Sequence, residues 1–360
     1  MALATVNMLD RADQRIFEEF RRLCICGDAA GVIDILEQAP TLQVSGTLDG
    51  EGTSALHLAA RAGHLLLTQA LLQRKCPVDT LDSHKRSPLH IACMEEHADV
   101  VLELLCGKAD ANLADATKQT ALHKVMRTDS LEVLKVLTEM GDPLFTAVDS
   151  TGSTPLHIAA GYAKVDLIEY LLSKDEGLVH AGNESDWTAL HLAAHGREMW
   201  RASLPKPGKF ARSVRLLIEV KAPLEAQDED RKTPLHRAAN TGNAENVTEL
   251  INGGANVGAE DNCRWTPLHY AAQEGHLEVA RLLLRAKAEV QRANPSCLTP
   301  LAVATMENQV KIAELLMSFK ACPQHKGKAL ASSIMIARKD PEKHAELLSL
   351  FELGFINHHA

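Results

Sequence analysis

Catalytic or metal chemistry in this 360-residue chain would first be sought among its 17 histidines and eight cysteines. A zinc ion needs four donors converging tetrahedrally, which a sequence supplies as two histidines one helical turn apart or as paired Cys-x-x-Cys ligands. Neither His-Glu-x-x-His nor Cys-x-x-Cys occurs, and the nearest pair, Cys24-x-Cys26, suits neither a zinc knuckle nor a dithiol redox centre. The chain also lacks the Gly-x-x-x-x-Gly-Lys-Ser/Thr phosphate loop, a Gly-x-Gly-x-x-Gly turn behind a strand, and the Gly-x-Ser-x-Gly nucleophile elbow. Cys93 and Cys106 fall in apolar helical stretches and are expected to be buried as small hydrophobes. The residues therefore predict no catalytic site, no metal and no cofactor.

Seven of the histidines stand instead in one recurring tetrapeptide. It reads Ser54-Ala55-Leu56-His57, Ser87-Pro88-Leu89-His90, Thr120-Ala121-Leu122-His123, Thr154-Pro155-Leu156-His157, Thr188-Ala189-Leu190-His191, Thr233-Pro234-Leu235-His236 and Thr266-Pro267-Leu268-His269. An eighth copy, Thr299-Pro300-Leu301-Ala302, lacks the histidine. The steps between first residues are 33, 33, 34, 34, 45, 33 and 33, and an Asp or Asn stands five places before every Thr or Ser. We number the repeats one to eight by these residues. His64, His97 and His276 recur at a second fixed place, after the first helical stretch of their repeats.

The elements that must carry these residues can be read from repeat seven. Thr266 is a helix N-cap type, and Pro267 takes the first helical position, where a missing N–H costs nothing. Ala271 and Ala272 allow helices to approach closely, Gly275 ends the first helix, and Val279, Leu282 and Leu283 give the second an apolar stripe. The period and the Thr-Pro-Leu-His-x-Ala pattern resemble the ankyrin repeat over residues 45 to 325. That resemblance implies an all-α repeat solenoid of antiparallel helix pairs, with a β-turn or hairpin finger pointing outward from each pair. It also implies that the Thr and His of each repeat bond one another and nearby backbone, and that the residue before each Thr or Ser faces a concave groove.

A single repeat cannot bury its own apolar face, so the array must be sealed at its ends. Residues 1–11 are expected to be a flexible terminus, and residues 12–44 a capping helix pair. Within that cap Ile16, Phe17, Phe20, Leu23 and Cys24 share one face, and Gly27-Asp28 forms the break. Eight repeats fill residues 45–325, a second capping pair fills 326–356 with its break at Asp340-Pro341, and 357–360 is a tail. One continuous array is expected, although the length alone suggests two domains.

Three departures from the repeat mark candidate binding residues. The 45-residue step places an insert at about 196–212, where Arg197, Arg201, Lys206, Lys209 and Arg212 face only Glu198, and where Pro205, Pro207 and Gly208 dictate a loop. A surface insertion without function and a partner-contacting loop are both compatible with this. In the groove column, otherwise mostly polar, Trp187 and Trp265 flank Lys232, and large aromatics of this kind dominate binding energy at interfaces. Burial of both rings is the competing reading. The middle fingers are acidic, with Asp186 and Asp230 at their tips. Finally, Asn112 occupies the hairpin asparagine position, with Leu104 and Asp110 before it. This resembles the pattern hydroxylated in some ankyrin proteins, although side-chain-to-backbone bonding in the hairpin already explains the residue and is the preferred reading.

The expected function is non-enzymatic binding of another protein through the concave groove. A substrate-recruiting adaptor or tethering scaffold is the alternative, and an enzyme using His195 beside the insert of repeat five the remote one. A net charge of -9 opposes nucleic-acid binding, and no stretch has the roughly 18 apolar residues of a membrane span. Sparse cysteines and the lack of a leader sequence predict a monomer in a reducing compartment, the cytoplasm or alternatively the nucleus.

Overall fold

The computed structural model describes residues 11–38, 48–196, 208–321 and 333–358. The chain divides into two compact units, Met1–Ala159 and Ala160–Ala360. In the first, α1 (Arg11–Cys26) pairs with α2 (Ala29–Gln38), followed by α3 (Ala55–Ala62) with α4 (Leu65–Gln73), α5 (Pro88–Met94) with α6 (Ala98–Cys106), and α7 (Ala121–Val125) with α8 (Leu131–Met140). The boundary falls within α9 (Pro155–Gly161). The second unit continues through α10 (Val165–Lys174), a 3-10 turn at Glu176–His180, α11 (Ala189–His195), α12 (Lys209–Glu219), α13 (Pro234–Thr241) and α14 (Ala244–Asn252). It is completed by α15 (Pro267–Glu274), α16 (Leu277–Arg285), α17 (Pro300–Met306), α18 (Val310–Ser318), α19 (Ser333–Lys339) and α20 (Ala345–His358). Among the described residues no helix is long and apolar enough to cross a membrane.

Repeat six shows why the tetrapeptide makes a helix. Thr233 is extended at the N-cap, Pro234 fills the first turn, and Gly242 ends α13 in the left-handed region at φ 77. The histidine then does two jobs. His236 Nδ1 accepts the Thr233 backbone N–H at 3.1 Å, and its Nε2 donates 3.0 Å to the Trp265 carbonyl of the next repeat. His57, His90, His123, His191 and His269 repeat this reach, to the carbonyls of Arg86, Gln119, Ser153, Lys232 and Leu298. The second histidine position works backwards. His276 donates 3.1 Å to the Asn240 carbonyl, and its ring lies where a Cβ on Gly242 would come within 2.5 Å. Only glycine fits there, on steric as well as conformational grounds.

The fingers contain no paired strands. The one bridge among the described residues is isolated, between Gly182 and Thr188. Each finger is closed by its Asp or Asn instead. Asp228 Oδ1, for example, accepts the N–H groups of Asp230 at 3.0 Å and Lys232 at 2.9 Å. Five residues are too few for a hairpin ladder, and the side-chain turn supplies the missing acceptor. Two places before each Thr or Ser the backbone is left-handed, at Gly52, Lys85, Lys118, Gly152, Asp186, Arg231, Arg264 and Cys297. Neighbouring fingers are stitched by single backbone bonds, such as Asn262 N to Asp230 O at 3.0 Å.

The apolar stripes form the core in each unit. Leu89, Val100, Val101, Leu104 and Leu134 are fully buried in the first, and Leu190, Val214, Leu217, Leu250, Leu268 and Leu283 in the second. In α1, Phe20, Leu23 and Cys24 are buried while Ile16 and Phe17 are half-buried. Cys93 is buried as its surroundings demand, but Cys106 is exposed. It ends α6, one place past the inward pair Leu104 and Leu105, and so rotates out of the stripe.

Candidate functional site

The columns that the period brings together converge in repeats five to seven. Trp187 and Trp265 are both half-buried, so neither ring is lost in the core. Each is fixed by contacts on its inner side. The Trp187 ring lies 6.1 Å from His191 and 5.6 Å edge-on from His195. The guanidinium of Arg237 stacks 4.2 Å from its centroid. Trp265 lies 5.7 Å from His269 and 5.2 Å from Tyr270, tilted 54° to the latter.

Between the two tryptophans runs an unbroken series of charge and ring contacts. Arg237 Nε donates 2.8 Å to Asp228 Oδ2, and its Nη2 also pairs with that oxygen and stands 3.9 Å from Asp230. Lys232 Nζ donates 3.0 Å to Asp230 Oδ2 and sits 5.5 Å over the Tyr270 ring. Tyr270 donates its hydroxyl 2.6 Å to Asp261 Oδ2, and its ring meets His236 edge-on at 6.0 Å. Burial, reinforced by the Asp261 carboxylate, holds the Tyr270 phenol well above its ordinary range. The Lys232 hydrogen bond holds Asp230 below the usual carboxylate range. At neutral pH Tyr270 thus stays a hydroxyl donor and Asp230 an ionised acceptor.

Arg237 and Tyr270 were absent from the residues singled out by sequence, although a signal existed. Four places after each Thr or Ser the chain reads Leu58, Ile91, Lys124, Ile158, Leu192, Arg237, Tyr270 and Val303. The finger aspartate uses Oδ1 to close its turn, and its buried Oδ2 needs a second donor. Lys124 supplies it to Asp115 at 2.5 Å, as Arg237 and Tyr270 do for Asp228 and Asp261. Arg86 reaches Asp82 at 2.8 Å, and Gln119 reaches Asp149 at 3.1 Å. Where the finger residue is Asn183 or Asn294, this position is apolar. A charged or phenolic residue there reads as a partner of its finger, with its side chain on the same face as the column before the Thr.

The repeats also answer to a known pattern as a whole. The family model described as ankyrin repeats (3 copies) matches residues 23–115, 101–181, 143–204, 177–261, 199–294 and 247–327. The chain belongs to the ankyrin-repeat family. Its ankyrin repeats mark it as a protein–protein interaction module. Among curated proteins, the tyrosine-protein kinase Shark of Drosophila melanogaster is 31% identical over 121 residues, or 33% of this chain. The match spans only 12% of that kinase's length.

The other predicted positions have separate fates. Asp186 is exposed at the left-handed tip of finger five. Arg197, Arg201 and Lys206, like Trp200, lie outside the described residues. Lys209 is not in a loop but begins α12, which Gly208 caps at φ 84 and which Phe210, 4% exposed, anchors in the core. The expected loop therefore ends four residues early, because the buried Phe210 pulls the chain into helix. Asn112 uses both ends of its amide within the hairpins. Nδ2 donates 3.2 Å to the Asp142 carbonyl, and Oδ1 accepts the Leu144 N–H at 2.8 Å.

Proposed function

We propose that this ankyrin-repeat protein binds a protein partner without chemical turnover, through the groove face of repeats five to seven. Trp187, Trp265, Lys232, Asp186 and Asp230 form that face, with Arg237 and Tyr270 added to them. The observation that carries the reading is that two tryptophans, half-exposed among polar fingers, are each held by neighbouring rings, Trp187 also by the Arg237 guanidinium. Rings already fixed lose little freedom when a partner covers their exposed part, which is how a few aromatics come to dominate an interface. In sequence, Lys209 and the insert's Arg197, Arg201 and Lys206 set positive charge in repeat five against the acidic residues of fingers five and six, a contrast of sign that would orient a partner. The described cysteines are all free, which fits a reducing compartment such as the cytoplasm or nucleus.

The test is a pull-down from matched lysates with the intact protein and with the Trp187→Ala/Trp265→Ala double variant, both checked for helix content. Partners retained by the first and lost from the second identify the face. Identical partner sets with both proteins would move the binding site elsewhere.

A further inference from the structure

The two cations on this face are held very differently. Arg237 pairs with Asp228, whose side chain is 0% exposed, so withdrawing that guanidinium would strand a buried carboxylate. Lys232 pairs with Asp230, whose side chain is 54% exposed, through one hydrogen bond of 3.0 Å. The Lys232 side chain is itself only 21% exposed, but its partner is solvated, and an ion pair with one solvated member contributes little while holding a long flexible side chain in place. Arg237 is part of the scaffold, whereas Lys232 is exchangeable.

What Lys232 occupies is a cation site in miniature. Its ammonium sits over Tyr270, which forms a tilted pair with Trp265 at 5.2 Å, while a carboxylate takes the charge from the side. Ring faces attract cations, and a guanidinium, being planar and weakly hydrated, stacks on them better than an ammonium does. The surroundings favour the same sign. Fingers five and six carry Glu184, Asp186, Asp228, Glu229 and Asp230 against Arg231 and Lys232, and Glu184, Asp186 and Glu229 are exposed. An incoming anion would meet these carboxylates. An incoming cation would meet fewer like charges, Lys232 and the exposed Arg231.

We infer that the face accepts an arginine- or lysine-bearing segment of its partner, whose cationic side chain takes the place of Lys232 over Tyr270 and against Asp230. This rests on the groove reading and adds the chemistry of the partner. Lys232 is then a resident competitor, displaced toward solvent and Glu229 when the partner docks. Arginine is the better occupant, and the side chain must come from an extended segment able to lie across finger tips rather than from a flat surface.

The experiment pans phage-displayed random dodecapeptides on the full chain and measures selected peptides by fluorescence anisotropy. The expected result is a consensus enriched in arginine and lysine, bound through Trp265 and so lost in Trp265→Ala. Lys232→Met, which removes the competitor and keeps the aliphatic stem, should tighten these peptides about threefold or more. Asp230→Asn should loosen them. A consensus of acidic or neutral peptides that Trp265→Ala abolishes would overturn this inference and leave the groove reading standing. Weaker binding of basic peptides to Lys232→Met would also overturn it. Failure to select any peptide sensitive to Trp265→Ala would remove both readings.

Discussion

Arg237 holds the Trp187 ring and the Asp228 carboxylate at once, its guanidinium carbon 4.2 Å from the ring centroid and its Nε 2.8 Å from the oxygen. A tryptophan of the candidate site is thereby tied to the element that shapes its neighbouring finger. Arg237→Leu should cost about 3–5 kcal/mol, because it leaves Asp228 charged, buried and short of a donor. Repeat five shows the remedy in its own sequence, pairing Leu192 with Asn183. The double variant Arg237→Leu/Asp228→Asn should therefore recover most of the loss in urea unfolding. A double variant no more stable than the single one would show that the finger does not need its Oδ2 satisfied.

Acid should unfold the protein over a defined window. His57, His90, His123, His191, His236 and His269 each accept an N–H at Nδ1 and donate from Nε2, so the bonded ring must be neutral. Burial depresses His57, His90, His123 and His236 below the ordinary 6.5, and His269 to about 4. Below pH 6.5 the unfolded chain takes up protons that the folded one refuses, so stability falls as pH drops toward 4. Each unit of depression corresponds to ~1.4 kcal/mol. Asp115 extends the loss further down. Burial would raise its pKa, but bonds from Lys124 and Thr117 outweigh this and hold it at about 2. Urea midpoints measured from pH 7.5 to 4 should slope steeply, and a profile flat to pH 5 would exclude this account.

Repeat eight should open first within the second unit. Ala302 leaves Thr299 Oγ1 with one acceptor role, toward the Ala302 N–H at 3.3 Å, and sends no side-chain bond onward. Losing such a bond costs on the order of 1 kcal/mol. Hydrogen exchange is expected to be faster in α17 and α18 than in α13 and α15, as quasi-linear arrays permit. Slowest protection at residues 300–318 would contradict it.

Two glycines separate strain from collision. Gly254 has φ 95 and open space within 4 Å of where an alanine methyl would stand, whereas a Cβ on Gly242 would strike the His276 ring. Both alanine variants should pay the left-handed penalty of about 1–2 kcal/mol. Gly242→Ala should lose more, because His276 must also leave the Asn240 carbonyl. Equal losses in thermal unfolding would mean that the histidine moves aside freely.

The repeat was legible because its period is carried by residues with obligatory backbone roles, the N-cap Thr or Ser and the histidine behind it. Position in that period also placed Trp187, Lys232 and Trp265 in one column. Arg237 and Tyr270 escaped because their position is Leu, Ile or Val in most repeats and reads as core. What they do shows only in their bonds to the second oxygen of the finger aspartate. Cys106 was misread because an apolar stripe fixes a face but not the residue at which the helix turns away from it. The start of α12 was hidden by Gly208, a loop residue by type that serves as a left-handed cap.

The histidine bond to the next finger has a further consequence for how this chain can change in length. It spans 29 residues from His57 to Arg86 and from His236 to Trp265, yet 41 from His191 to Lys232. The bond counts modules rather than residues. The extra chain of repeat five enters between its two helices, upstream of the finger and downstream of the histidine, and neither end of the bond registers it. A change of length between α11 and α12 thus leaves the register of the histidine bonds on either side untouched. A two-residue change inside a finger would shift the phase of every bond that finger makes.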